Sequence, residues 1–457
     1  MKTFSCAWVL VLAAPIALSQ VSTTPYDSLG VEMFRTSLAS GKAYEALRVL
    51  TSTIGNRISG SPKAAQAVQW AKKYLEDSGA ENVHLEPVMV PRWVRGPVEE
   101  AALSYDGLAQ PKRLRILAIG GSIATPKEGI TAEVVEVHSF EELKLLGGKA
   151  RGKIVFFNRP MDRTRFATFE AYGGAVDQRV HGAVEAARVG GVAALVRSMT
   201  TLLDNSPHTG AMNYADSVQK IPAACVSTND AEAISAALKS EQSVKVHLTL
   251  SCETLPDVES ANVVGEIPGS EMKEDVIVMG GHLDSWDVGQ GAHDDGAGVV
   301  QSVEALRLLK QMGLRPKRTI RVVLFMNEEN GLRGGLGYAE KVRPGEHPIA
   351  AIETDAGGLS PRGFGVGDSA AYVKILRWAP VFRPIGGDRI TLGGGGADIG
   401  PLGRKGAVTI GLSVDSHRYF DYHHSENDTF DKVNERELEL GAAMMAMLAY
   451  MISQEGL

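Results

Sequence analysis

Three textures of hydrophobic and polar positions succeed one another along the chain. In the first, SGSPKAAQAVQWAKKYLEDSG at 59–79 places Ala64, Val68, Ala71 and Leu75 at helical spacing. Ser61 is positioned to cap, Pro62 to open and Gly79 to stop a helix over 61–79. The apolar run at 83–90 contains Pro87, which cannot donate to a ladder, so it predicts an edge strand. From about 97 to 255 the texture becomes short β-rich runs, GKIVFFN, GVAALVR, IPAACVS and VKVHLTL, with one alanine-rich helix near 182–188. From 260 onward strand, loop and helix alternate. DVIVMGGH, TIRVVLFMNEE, IAAIETDAG and AVTIGLSVD are apolar runs that end in polar residues, as expected of central strands buried on both faces. A helix is predicted over 296–312, with Val299, Val300, Val303, Leu306 and Leu309 as its apolar stripe and Gly313 at its end. The last helix, 435–453, has a methionine-rich face that belongs to the core rather than to a metal site.

This pattern predicts an α/β protein with a mixed, mainly parallel central sheet flanked by helices. Its parts are 20–96 and 256–457, interrupted by a smaller β-rich module over 97–255. Ahead of it, Met1 and Lys2 precede an apolar stretch at 4–18, with Ala17 and Ser19 as small residues before Gln20. That predicts a secretory signal peptide over 1–19, because the stretch is shorter than the ~20 residues a membrane-spanning helix needs. With a net charge of -7 and no run of basic residues, nucleic acid and anionic membrane are excluded as main partners. Two cysteines remain after the leader, Cys225 and Cys252. They are too few for a disulfide scaffold, and their pairing is open.

The chemistry gathers where the predicted strands end. GGHLDSWDVGQGAHDDGAG, 280–298, holds two histidines and four aspartates with no lysine or arginine. His282 and Asp284 follow the first central strand, Glu328 and Glu329 the second, and Asp355 the third, and HHSENDT with His423 and His424 lies beyond the fourth. Open α/β sheets bind ligands outside the carboxyl ends of their strands, so these groups are expected to converge there. Carboxylates brought together repel unless a cation sits among them. Mixed imidazole and carboxylate donors suit Zn²⁺, and there are more of them than one tetrahedral ion uses, which points to two Zn²⁺ ions sharing a carboxylate.

GGHLDSWDVGQGA, DDGAG, NEENG, ETDAG and HHSENDT resemble, in order and context, the di-zinc peptidases of the MH clan, most closely the carboxypeptidase Q group. The likeness extends to NRISGSP at 56–62 and to the middle module, which resembles a protease-associated domain. It implies the zinc aminopeptidase fold. It further implies that His282 and Asp355 bind one zinc, that Glu329 and His424 bind the other, and that Asp294 bridges them. Asp284 would accept the far ring N–H of His282, Glu328 would be the general base, and a cis peptide would join Asp294 to Asp295. The implied activity is exopeptidase hydrolysis of unblocked dipeptides or short peptides by a secreted enzyme, with a homodimer as the expected assembly.

Several neighbours are less specific. His293 is read as a packing or rim residue, His423 as the alternative to His424, and Asp428 and Thr429 as orienting their loop. Asn427 opens a glycosylation sequon in a place too crowded for a glycan. Asp398 either lines the cleft or occupies a turn, and Tyr419 is a possible hydrogen-bond donor to the oxyanion. Two other readings stand beside the peptidase: a glutaminyl cyclase-like acyltransferase with a single zinc, and a receptor-like binding protein without activity.

Overall fold

In the computed structural model, which describes residues 24–241 and 243–457, the four apolar runs of the carboxyl-terminal half become adjacent parallel strands. Their spatial order is Arg318–Phe325, Met272–His282, His347–Glu353, Val408–Val414. They read as nearly unbroken apolar sequence because helices cover both faces. Ile277, Met279, Ile320 and Val322 pack with helices Ala297–Gln311 and Glu435–Glu455. Val276, Val278, Val323 and Phe325 pack on the other side, with helix Arg333–Glu340. Two strands at each margin complete eight, joined by antiparallel pairs except for Pro361–Val366 with Arg389–Leu392, which run parallel. Glu81–Val94 and Glu253–Ile267 form one margin, Pro361–Val366 and Arg389–Leu392 the other. The sheet is therefore mixed with a parallel centre, and all four central strands present their carboxyl ends along one rim. The signal peptide expected over 1–19 lies outside the described residues. Among the described residues no helix is long and apolar enough to cross a membrane.

The local signals act where they were read. Ser61 Oγ accepts the Ala64 N–H at 3.1 Å and caps helix Pro62–Asp77. The Asn434 side chain accepts the Glu437 N–H at 3.2 Å and caps the last helix, whose Met444, Met445, Met447 and Met451 are fully buried. The strand with Pro87 lies at the sheet margin. It runs farther than the apolar run alone suggests, because it pairs with Glu253–Ile267 from Glu81 to Val94. This long ribbon leads the chain out to a second sheet and back.

The second sheet is built entirely from strands between Glu99 and Leu250. Its first and last strands in space, Lys112–Leu114 and Ile116–Ala118, are separated in sequence by Arg115 alone, so the sheet must roll until its ends nearly meet. One helix was expected here; the structure has four, Phe140–Leu146, Thr168–Gly173, Asp177–Arg188 and Thr228–Ser240. The reason lies in connectivity. Ile130–Val137, Ile154–Phe157, Ala193–Arg197 and Ala223–Val226 run parallel, and parallel neighbours require crossovers, usually helical. Phe140–Leu146, Thr168–Gly173 and Asp177–Arg188 lie in the first two of these, whereas Thr228–Ser240 leads from the last parallel strand to Val244–Leu250. Cys225 and Cys252 are both buried and unpaired.

Arg57, from NRISGSP, is the fully buried pin of the loop after strand Met272–His282. Its Nε donates to the Leu283 carbonyl at 2.6 Å, Nη1 to Gln290 at 3.0 Å and Nη2 to Gly291 at 3.0 Å, while its backbone N–H reaches Ser285 Oγ at 3.1 Å. One planar guanidinium thus closes both ends of 283–291, a geometry an ammonium does not reproduce. Removing it leaves three carbonyls without their donor and the buried acids around them without a cation. Arg57→Met is expected to lower the unfolding free energy by about 3–5 kcal/mol, read from denaturant midpoints. A loss within the scatter of surface substitutions contradicts this role.

Candidate metal centre

Asp294 stands at the middle of the rim. Its Oδ1 is 3.2 Å from His282 Nε2 and its Oδ2 is 3.2 Å from His424 Nε2, so each oxygen faces a different imidazole. Around it, Asp355 Oδ1 lies 3.6 Å from His282 Nε2, and Glu329 Oε2 lies 3.1 Å from His424 Nε2. Among the described residues, two groups of donor atoms lie within 4.8 Å of one another, His282 with Asp294 and Asp355, and Asp294 with His423 and His424. Asp294 belongs to both. The five expected ligands therefore converge, although they span 282–424 in sequence. His423 is close as well, with Nε2 3.8 Å from Asp294 Oδ2, but its ring stacks on His424 at 3.5 Å between centroids. Of the two histidines, His424 stands nearer to Asp294 and also meets Glu329.

The sheet and its loops explain each placement. His282 ends its strand and Asp355 follows Glu353, the last residue of the neighbouring strand. Asp294 sits in the turn before helix Ala297–Gln311, and a cis peptide joins it to Asp295. Asp428 grips this turn, accepting the His293 N–H at 2.7 Å and the Asp294 N–H at 3.1 Å, so its carboxylate orients the loop of Asp294 rather than only its own. His293 is completely buried and stacks on Tyr422 at 4.9 Å; it is a packing residue and not part of a rim. The Asn427 side chain meets Ser206 and Asp204 at 3.3 Å each, in keeping with a crowded sequon.

The expected partner of the His282 ring requires correction. Nδ1 lies 3.0 Å from the Asp284 backbone carbonyl, whereas the Asp284 carboxylate is 3.9 Å away. A carbonyl only accepts, so Nδ1 carries a proton, and Nε2 is the nitrogen that faces Asp294 and Asp355. The Asp284 carboxylate does something else. Its Oδ1 accepts the N–H groups of Asn327 at 2.7 Å and Glu328 at 3.1 Å, and so fixes the turn that carries both glutamates. Asn327 has positive φ, 74°, and its amide donates to Ser59 Oγ at 2.8 Å. Of the two readings of Asp398, the structure shows the turn, but a fully buried one with neither carboxylate oxygen hydrogen-bonded, so Asp398 does not line an open cleft.

Crowded acids set the electrostatics. Burial, and then the charges of Asp355, Glu329 and Asp294 against the relief of His282, push the Glu328 carboxyl well above the usual range. Burial and the nearby Asp294 raise Glu329 to about 7. Burial opposes charge on His424, yet Glu329 and Asp294 hold it up at about 10. Protons are thus drawn in where positive charge is lacking. Burial and the charges of Asp294 and Asp355 push the Tyr419 hydroxyl well above its ordinary value, so it stays a donor. Beside Asp355 a cavity of about 290 Å³ opens, lined by Ala356, Gly393, Gly394, Gly395, Arg389 and, from the second sheet's unit, Phe169.

Sequence comparisons agree with this geometry. The family model described as Peptidase family M28 matches residues 262–449. Carboxypeptidase Q of Bos taurus is 40% identical over 419 residues, covering 91% of this chain and 86% of that protein. A crystal structure of a peptidase M28 precursor from Shewanella amazonensis SB2B matches with a TM-score of 0.88 and 35% identity over 93% of this chain and 96% of that one. BSAP, described as a zinc aminopeptidase from Bacillus subtilis, shares the fold with a TM-score of 0.64 at 20% identity, over 90% of this chain and 94% of that one. With these candidate ligand side chains gathered at the rim of a sheet shared with a solved M28 structure, and this degree of identity along most of its length, the chain belongs to peptidase family M28 and is a metallopeptidase.

Proposed function

We propose that the protein is an exported exopeptidase that cleaves dipeptides or short peptides with free termini at a pair of zinc ions, with Glu328 as general base. One observation carries the reading: the two oxygens of Asp294 face two different imidazole nitrogens, and each of those nitrogens faces a second acid. The donor set fits a zinc pair. Asp294 Oδ2 and Asp355 Oδ1 are buried without a hydrogen-bond partner, an arrangement that is costly unless a cation engages them. His282 and Asp355 would hold one ion and Glu329 and His424 the other, with Asp294 common to both.

A bound zinc pair supplies Lewis-acid polarisation of the scissile carbonyl and lowers the pKa of a coordinated water from near 16 toward about 7. Glu328 accepts a proton from the attacking water as the carbon–oxygen bond forms. It returns that proton to the amine nitrogen as the carbon–nitrogen bond breaks, and ends unchanged. Asp284 holds the turn that aims it. The Tyr419 hydroxyl, kept protonated, would serve as a donor to the developing oxyanion. The cavity beside Asp355, near the lower end of ligand-pocket sizes, suits one or two residues of substrate. Export rests on the leader-like segment 1–19, a protease-associated identity for 97–255 on the sequence resemblance, and a homodimer on that resemblance too.

Glu328→Gln keeps the shape and removes the proton acceptor. The expected result is a fall in kcat by about 10²–10⁴ with zinc content unchanged by elemental analysis; activity near that of the parent protein refutes the assignment of the base. Asp294→Ala and Asp355→Ala separate a shared ligand from a single one. The first is expected to strip both ions and the second only one, in dialysed protein assayed for zinc per chain, and an equal loss from the two variants contradicts the bridging role.

A further inference from the structure

The two halves of the metal centre are braced from different places. His282 is oriented by the carbonyl of Asp284, two residues away on its own loop, and Asp355 extends from the adjacent strand of the same sheet. His424 and Glu329 instead depend on the unit formed by residues 99–250. The Thr209 carbonyl of that unit lies 3.3 Å from His424 Nδ1, and the Thr209 N–H donates to the His424 carbonyl at 2.9 Å. This two-way pairing holds His424 in the left-handed region, at φ 59°, where a residue with a Cβ does not settle unaided. Arg179, on helix Asp177–Arg188 and only 6% exposed, donates from Nη1 to the same Thr209 carbonyl at 3.2 Å and from Nη2 to the Tyr172 hydroxyl at 2.9 Å. Its Nη1 also stands 3.5 Å from His424 Nδ1. Two donors cannot bond each other, so both converge on the carbonyl, Nδ1 keeps its proton, and Nε2 is left free on the Glu329 side.

Glu329 is braced from the same unit by another route. Its Oε1 accepts the Trp286 N–H at 3.1 Å. The Trp286 indole is 2% exposed and belongs to the core of the second sheet, edge-on to Trp93 at 6.5 Å. Gly120 makes room for it: a Cβ there would come within 1.9 Å of the indole.

We infer that the rolled-sheet unit is a working part of the metal centre, with Arg179 and Thr209 as positioning residues that orient His424, and Gly120 seating the tryptophan that holds Glu329. The inference rests on the two-ion reading above. On it, the His424–Glu329 ion depends on this unit and the His282–Asp355 ion does not. Orienting partners of this kind are worth about 10- to 100-fold in metal affinity.

The test is competitive titration of the full-length protein with Zn²⁺ against a chelator, alongside Arg179→Met and Gly120→Ala, each checked for native secondary structure by circular dichroism. The expected result is two ions in the parent protein, with one weakened about 10- to 100-fold in both variants and the other unmoved. Parent-like affinities in the variants, or equal weakening of both ions, overturn the inference. If Arg179→Met does not fold, Gly120→Ala decides by the same criteria, since it leaves the guanidinium in place and acts from the other side. A parent protein that takes up a single ion overturns the two-ion reading instead. That ion must then weaken in the variants, or the inference fails with it.

Discussion

Carboxylates buried within reach of one another cannot all be ionised unless positive charge is held among them, and this constraint organises the catalytic half of the protein. Asp294, Glu329, Asp355 and Glu328 gather at one rim of the sheet, with His282 and His424 between them. Without a metal much of the compensation is protonation: carboxyls are pushed upward and the His424 ring is held near 10. Among the described residues Arg57 is the one completely buried arginine, and although its charge eases the acids around it, its donors go to backbone carbonyls. On the proposed reading, divalent ions would resolve the repulsion and supply what peptide hydrolysis requires.

Such a nest has to be held against its own repulsion, and the fold does so largely with main chain. Carbonyls of Asp284 and Thr209 face the outer nitrogens of the two ligand histidines. The Asp428 carboxylate clamps the turn of Asp294, and the Asp284 carboxylate that of Glu328. The braces within the catalytic half act at the common level where the four parallel central strands end, whereas Thr209 reaches in from the second sheet. The candidate ligands come from four different connections, positioned by the central sheet and, for His424, by the second sheet's unit as well.

Much of this was legible in the sequence because it is written locally. Buried parallel strands are unbroken apolar runs, and the polar residue that ends each run falls on the rim, so His282, Glu328, Glu329 and Asp355 announce their own location. The family resemblance points to His424 rather than His423, and in the structure His424 is the one that also meets Glu329. What stayed hidden was mostly long-range. Arg57 closes a loop more than two hundred residues away, and nothing near it in sequence names that loop. Thr209, Arg179 and Trp286 lie on opposite sides of a boundary between two folding units, where periodicity is silent. Asp284 was read as a ring partner because HLD suggests a carboxylate, whereas the adjacent backbone carbonyl reaches the ring first. In the middle region the β runs carry the pattern, and two short helices of the parallel crossovers and the longer helix Thr228–Ser240 do not stand out beside them.

The central claim is that Asp294 is shared by two zinc ions. Anomalous diffraction measured on either side of the zinc absorption edge, from crystals of the protein grown with zinc, tests it most directly. The account predicts two zinc peaks roughly 3.5–4 Å apart, one beside His282 and Asp355 and one beside Glu329 and His424, each in contact with one oxygen of Asp294. A single peak, or two peaks that do not share Asp294, would contradict it.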